Sequence, residues 1–211
     1  MKFWLWIVMD IGRKKNLLLI DDILIYGFLL SQVVSIFFLD YRINFFDAPG
    51  VLYLEGKSNF PVATFNSINF TLCFGFAFFI INVIPYFNMV FDYIKNGDLS
   101  FFDTLKRSHR LLNWAGYVHL NPARIVGNVK KITFQFKVFL LLFIFYMVFI
   151  FFYWLFGWAV PDIPAHAVLV SLISLYKVVL LVFNMLLFSA LSFFLLSCCI
   201  NVILIFYYFF R

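Results

Sequence analysis

The amino-acid sequence predicts an all-α integral membrane protein with four or five transmembrane helices plus interfacial helices. Three observations lead there: apolar residues dominate, the few charges gather at segment ends, and the apolar runs have membrane-spanning length. Of 211 residues, 65% are hydrophobic and 12% charged, with a mean hydropathy of +1.00. Ordinary globular domains carry about 25% charged residues. A water-soluble fold could not cover this much apolar surface, because its own exterior demands polar groups. Lipid removes that demand. The composition therefore excludes a soluble enzyme. No catalytic, cofactor-binding or metal-binding residue is expected, and the whole chain, 1–211, reads as one membrane domain.

Residues 3–9, FWLWIVM, are apolar but too short to span. The basic cluster Arg13, Lys14 and Lys15 follows the apolar run, the reverse of a secretory signal. This segment is expected as a short interfacial anchor with Trp4 and Trp6 at headgroup depth. The first span is expected over 17–39. Asp21 and Asp22 would then lie about 6 to 8 Å inside its entry edge. There they could pair with Lys14, Lys15 or a partner subunit's cation, and acids in a first turn suit the helix dipole. The sharper reading of the same pair is a proton-relay carboxylate.

Residues 40–67 read as a loop, since Asp47-Ala-Pro49-Gly50, Glu55-Gly56-Lys57-Ser58-Asn59 and Pro61 are turn chemistry. VLYLE between them is expected as a short strand or an interfacial stretch. The second span is expected over 68–94, with Gly75 and Ala77 as a small-residue contact face and Pro85 as a kink. Asn82 and Asn88 need partners if buried. A polar section over 95–137 carries Lys95, Lys106, Arg107, Arg110, Arg124, Lys130, Lys131 and Lys137 against Asp98 and Asp103. Ser100-Phe-Phe-Asp103 looks like a helix start, a surface helix follows, and Asn121-Pro122 and Gly127-Asn128 are expected breaks.

The third span, 138–160, is nearly pure Phe and Leu and ends in the aromatic belt of Tyr153, Trp154 and Trp158. Pro161-Asp-Ile-Pro164 is a turn. The stretch 166–211 contains neither Gly nor Pro. As one helix it would be about twice the hydrocarbon thickness, so tilted or bent. As two helices it would need a break near Tyr176-Lys177 or over 189–192.

Charge orients the chain. The basic 10–16 segment and the basic 95–137 section fall on one side, and the nearly neutral 40–67 loop and 161–166 turn on the other. The positive-inside rule makes the basic side cytoplasmic, or in a mitochondrion the matrix. Arg13, Lys14, Lys15, Lys130 and Lys131 are then expected at lipid headgroups, and membrane topology, not nucleic acid, accounts for the net charge of +6.

Cys73, Cys198 and Cys199 lie in apolar runs without metal or redox spacing and read as small hydrophobes. Lys177 is the one deep cation of the C-terminal stretch. It would sit roughly 16 Å along a helix starting at His166, either paired with a neighbour or serving as a proton relay.

Two local resemblances bear on chemistry. Arg107-Ser108-His109-Arg110 faintly resembles the Ser-x-x-His-Arg element of succinate dehydrogenase cytochrome b subunits, which would imply a haem-bearing membrane anchor. Its serine spacing differs, and His109 and His119 fall in the polar section on one side of the membrane while His166 falls on the other. Leu181-Val-Phe-Asn184-Met185-Leu186 faintly resembles the Arg-Leu-x-x-Asn-Met stretch of the proton-channel subunit of rotary ATP synthases. The arginine that such a channel requires is missing, with Lys177 the nearest stand-in.

Thirty-three phenylalanines and few Gly and Pro point to an AT-biased, organellar genome. In overall character the chain resembles the Phe-rich, divergent mitochondrially encoded membrane proteins of protists such as ciliates. That resemblance is compositional and spans the whole chain. It implies a multi-pass subunit of the mitochondrial inner membrane, non-catalytic and structural, within a respiratory-chain complex such as complex I or complex IV. Its partners would be other membrane subunits and lipid, including structural phospholipid such as cardiolipin, with no cofactor of its own. The alternative is a proton-translocating subunit of ATP synthase or complex I. Cysteines introduced at Ser108 and Ser58 should be labelled from opposite sides of the membrane; labelling of both from one side would overturn this topology.

Overall fold

In hydrocarbon an unpaired backbone amide or carbonyl costs several kcal/mol, and a helix pairs them all within its own segment. The apolar runs fold accordingly. In a computed structural model, residues 2–44, 47–100, 102–103, 121–155, 172 and 175–209 are described, with the backbone alone for 2–18, 150, 152, 154 and 155. The fold is all-helical, with no strand among the described residues. Its elements are α1 (Lys2–Phe37), α2 (Pro49–Lys57), α3 (Pro61–Asn96), α4 (Pro122–Lys131), α5 (Phe134–Leu155), α6 (Lys177–Ser189), a π-helical turn (Ala190–Phe194) and α7 (Leu195–Phe209). Three stretches are long and apolar enough to cross a membrane: Leu19–Phe37, Pro61–Asn96 and Lys177–Phe209. The described apolar part of α5, Phe134–Phe149, is shorter.

Several local expectations change. FWLWIVM is not a separate anchor, because α1 runs unbroken from Lys2. No proline interrupts it, and Gly12 costs only about 1 kcal/mol in a helix interior. Asp21 and Asp22 therefore lie well inside α1, and the dipole argument for a first-turn acid no longer applies. VLYLE is neither strand nor loop but the middle of α2. Pro49 opens that helix, where a missing N–H removes nothing the helix would use.

Pro61 opens α3 in the same way, while Pro85 stands inside it. Asn121-Pro122 is a true boundary. The Asn121 side chain accepts from the amides of Ala123 and Arg124 at 3.0 and 3.4 Å, capping α4. Gly127-Asn128 is no break, since both residues lie within α4. At Ser100, Asp98 Oδ1 accepts from the backbone amide at 2.8 Å, as a helix start requires. The expected surface helix after Asp103, His109, His119, Trp158, the 161–164 turn and His166 lie outside the described residues.

The C-terminal stretch is interrupted at the first of its two expected breaks, with Leu172 and Leu175 helical before it. Tyr176 is extended (φ −135°, ψ 125°), so the helix opens at Lys177. The second candidate break, over 189–192, is instead the π-helical turn. A π-turn takes up one residue more than an α-turn and keeps the helix going.

The chain divides into two compact units. One comprises Phe28–Gly75 and Thr133–Ala190, the other Met1–Gly27, Phe76–Ile132 and Leu191–Arg211. Within the first, α1 runs antiparallel to α3: Gln32 meets Ser67 and Thr71, while Tyr41 and Ile43 beyond the helix meet Asn66. Also in this unit α1 runs antiparallel to α6, with Phe28 stacked on Phe188 at 4.1 Å and Phe37 beside Lys177.

Within the second unit α3 and α7 run parallel, joined by the ring pairs Phe78–Phe193 and Phe91–Tyr207 at 5.1 and 5.8 Å. There α4 packs on α7. It buries Ile125, Val126 and Val129 and exposes Arg124, Asn128, Lys130 and Lys131. An apolar stripe backed by a basic face is the pattern of a helix lying in a membrane interface.

Phe28 is 1% exposed, whereas Phe145 on α5 is 55% exposed. Phe28→Ala should cost about 3 kcal/mol and Phe145→Ala less than about 0.5 kcal/mol in detergent unfolding. Equal losses would refute this packing.

Candidate functional site

The chemistry available in this protein is that of polar side chains buried between apolar helices. Gln32 is the centre of one group. Its Nε2 donates to the Ser67 carbonyl at 3.1 Å and to Thr71 Oγ1 at 3.2 Å, and its Oε1 accepts from Asn184 Nδ2 at 2.8 Å. A carbonyl can only accept, so Ser67 fixes the orientation of the Gln32 amide, and Gln32 in turn fixes that of Asn184. One side chain of α1 thereby ties α3 and α6 together, with Gln32, Ser67, Thr71 and Asn184 all fully buried. Around it Ser35 donates to the Gln32 carbonyl at 3.3 Å and Thr71 to the Ser67 carbonyl at 2.8 Å.

The second group lies in the other unit. Asn82 Nδ2 donates to Asp21 Oδ1 at 2.7 Å and to the Phe78 carbonyl, one turn earlier on α3, at 3.0 Å. Asp21 and Asn82 have no exposed surface. Among the described residues Asp21 is bonded to an in-chain amide, while the side chains of Lys14 and Lys15, its expected partners, lie outside them. The partner that Asn82 needs is supplied by Asp21. Asn88, by contrast, is exposed.

At the chain ends of these helices, charge is handled by aromatic rings and local acids. Lys177 is the first residue of α6, because Tyr176 before it is extended. Its Nζ lies 5.6 Å from the Phe37 ring and 5.3 Å from the Phe60 ring, over the electron-rich faces that attract a cation. Lys177 lines an open cleft of about 190 Å³ together with Leu39, Asp40, Phe60 and Pro61.

Arg42 is held over the Phe65 ring at 3.7 Å, with Asp47 at 2.6 Å and Glu55 at 3.6 Å. Asn66 clamps the extended segment beside it, accepting from the Ile43 amide and donating to the Tyr41 carbonyl.

Of the expected headgroup contacts, Lys130 and Lys131 occupy the last turn of α4 and are exposed. Cations there suit the negative end of the helix, and Lys130 Nζ lies 5.6 Å from the Tyr208 ring. The backbone of Arg13, Lys14 and Lys15 is in α1, and their side chains lie outside the described residues. Asp22 is half-buried beside Asp21. Among the described residues no group of His, Cys, Asp and Glu could hold a metal. The three cysteines are unpaired, with Cys73 exposed and Cys198 buried. No protein-family model matches the chain, and no curated protein or solved structure does so either.

The Gln32 group went unread in the sequence, although a signal existed. Thr64, Ser67 and Thr71 share one helical face at i, i+3 and i+7, and Gln32 is a lone amide within an apolar run. Gln32→Leu and Asn184→Leu should each destabilise the chain in detergent. Their double-mutant cycle should return a coupling of about 0.6 to 1.7 kcal/mol. Strictly additive losses would show that the two amides act independently.

Proposed function

We propose that the chain is a non-catalytic, multi-pass structural subunit of a larger respiratory-chain complex in the mitochondrial inner membrane. The observation that carries this reading is how polar and apolar side chains are divided. The buried amides of Gln32, Asn82 and Asn184 join helix to helix, while large apolar side chains cover the outer faces of the long helices. Leu30, Ile84, Val178 and Leu186 are 65 to 67% exposed. Along α5, Phe139, Leu142, Phe145, Tyr146 and Phe149 are exposed as well. In its own unit α5 packs on the short helix α2, which leaves most of its apolar circumference to lipid or to neighbouring subunits.

In this reading α5 and the segment after it complete a fourth span, with a fifth if the stretch before Lys177 also crosses. The basic surface of α4, with Lys130 and Lys131, faces the matrix and the headgroups of an anionic phospholipid such as cardiolipin. The composition supports a mitochondrial origin and a complex such as complex I or complex IV. The alternative, a proton-translocating subunit of ATP synthase or complex I, draws support from one feature, the buried Asp21–Asn82 pair. Lys177 lends it none, since it opens its helix and does not occupy the middle of a span. A haem anchor of succinate dehydrogenase rests on histidines outside the described residues.

Chemical cross-linking of native membranes followed by native electrophoresis tests the proposal. The 25.0 kDa chain should migrate in an assembly many times its own mass and cross-link to respiratory membrane subunits. A stable, monodisperse monomer recovered from native membranes would overturn the subunit reading.

A further inference from the structure

The Asp21–Asn82 pair has two atoms too many on the acceptor side. Asn82 Nδ2 uses its hydrogens on Asp21 Oδ1 and on the Phe78 carbonyl. The carbonyl can only accept, so the amide cannot be turned round. Asp21 Oδ2 and Asn82 Oδ1 remain, both buried and both without a donor among the described residues. These two oxygens belong to side chains already joined by one hydrogen bond. A carboxylic acid and an amide form a closed ring when the acid O–H donates to the amide oxygen and the amide N–H donates to the acid carbonyl. The second half of that ring is in place, and the leftover oxygens are those the first half would join.

The surroundings favour occupancy. An ionised carboxylate with one neutral donor, inside an apolar segment and with no exposed surface, is costly to maintain. The charged group acting on Asp21 among the described residues is Asp22, a second acid on the same helix. From α3 it is faced by the neutral Asn82. Among the described residues no cation is paired with Asp21.

We propose that Asp21 Oδ2 and Asn82 Oδ1 together bind one exchangeable monovalent cation within the membrane-spanning part of the chain. Two oxygens suffice for a proton, which forms an O–H bond to Asp21 Oδ2 and a hydrogen bond to Asn82 Oδ1. Na⁺ would use the same two oxygens and require further ligands. The protein so equipped carries an intramembrane cation-binding carboxyl, a property that a purely space-filling subunit does not need.

The test treats the full-length chain in its native membranes with dicyclohexylcarbodiimide, a lipid-soluble reagent that adds to a protonated carboxyl, and reads the adduct by mass spectrometry. Asp21 should be labelled, and the label should disappear in Asp21→Asn. If Na⁺ is the occupant, Na⁺ at ten times its dissociation constant should lower labelling about tenfold. If a proton is, labelling should ignore Na⁺ and fall as the pH rises.

Asp21→Asn provides the second arm, because its amide offers an N–H in place of the bound cation. Its thermal midpoint in detergent should equal or exceed that of the unaltered chain and lose the Na⁺ or pH dependence that Asp21 contributes, whereas Asp21→Leu should be less stable. An Asp21 left unlabelled at every pH would overturn the proposal. So would an Asp21→Asn variant as unstable as Asp21→Leu.

Discussion

A side-chain amide buried between apolar helices has no water to fall back on, and Gln32 shows what this demands of the fold. Its donor and acceptor must both find partners, and they find them on two different helices: Ser67 and Thr71 on α3, and Asn184 on α6. That requirement sets which residues of three helices stand opposite each other within the unit. Apolar contacts alone would not, since lipid tails are as apolar as leucine and the drive to pack helices together is weak. The Phe28–Phe188 stack then falls one turn from the amide pair, filling space that the hydrogen bonds have already aligned. Polar geometry specifies the arrangement and aromatic packing completes it.

The broad architecture was legible in the sequence because it follows from composition alone. A chain this apolar has helices as its available structure wherever it meets lipid, and the apolar runs mark them. What escaped was set by interactions between distant residues. Nothing local announces that Asp21 faces Asn82, sixty-one positions away, and charge logic pointed to nearby lysines instead. Lys177 was placed deep on a helix counted from His166, whereas the expected break at Tyr176-Lys177 is the one realised and makes Lys177 the first residue of α6. The Gly127-Asn128 pair erred in the opposite direction, as a turn-forming dipeptide carried inside α4 by the burial of Ile125, Val126 and Val129 on either side.

Cations at the edges of the apolar segments follow a shared pattern. Lys177 rests against Phe37 and Phe60, Lys130 near Tyr208, and Arg42 directly over Phe65 with two acids at its rim. In a phenylalanine-rich chain the ring face is the commonest partner at hand, and it suits a group that must be half in lipid and half out. The clamp of Asn66 on the segment after α1 does for the backbone what these rings do for charge. It satisfies a chain that has left its helix before it reaches open water.

The exposed face of α5 bears on how such a protein changes over generations. Along that helix Phe139, Leu142, Phe145 and Phe149 touch little of their own chain, so phenylalanine, leucine, isoleucine and valine serve there almost interchangeably. Codon drift can rewrite such positions without loss of the fold. Gln32, Asn184, Asp21 and Asn82 have no such freedom, because each completes a hydrogen bond that no apolar residue can make. The hydrogen-bonding specificity of the fold thus rests on a handful of amides and one carboxyl, spread thinly along the chain.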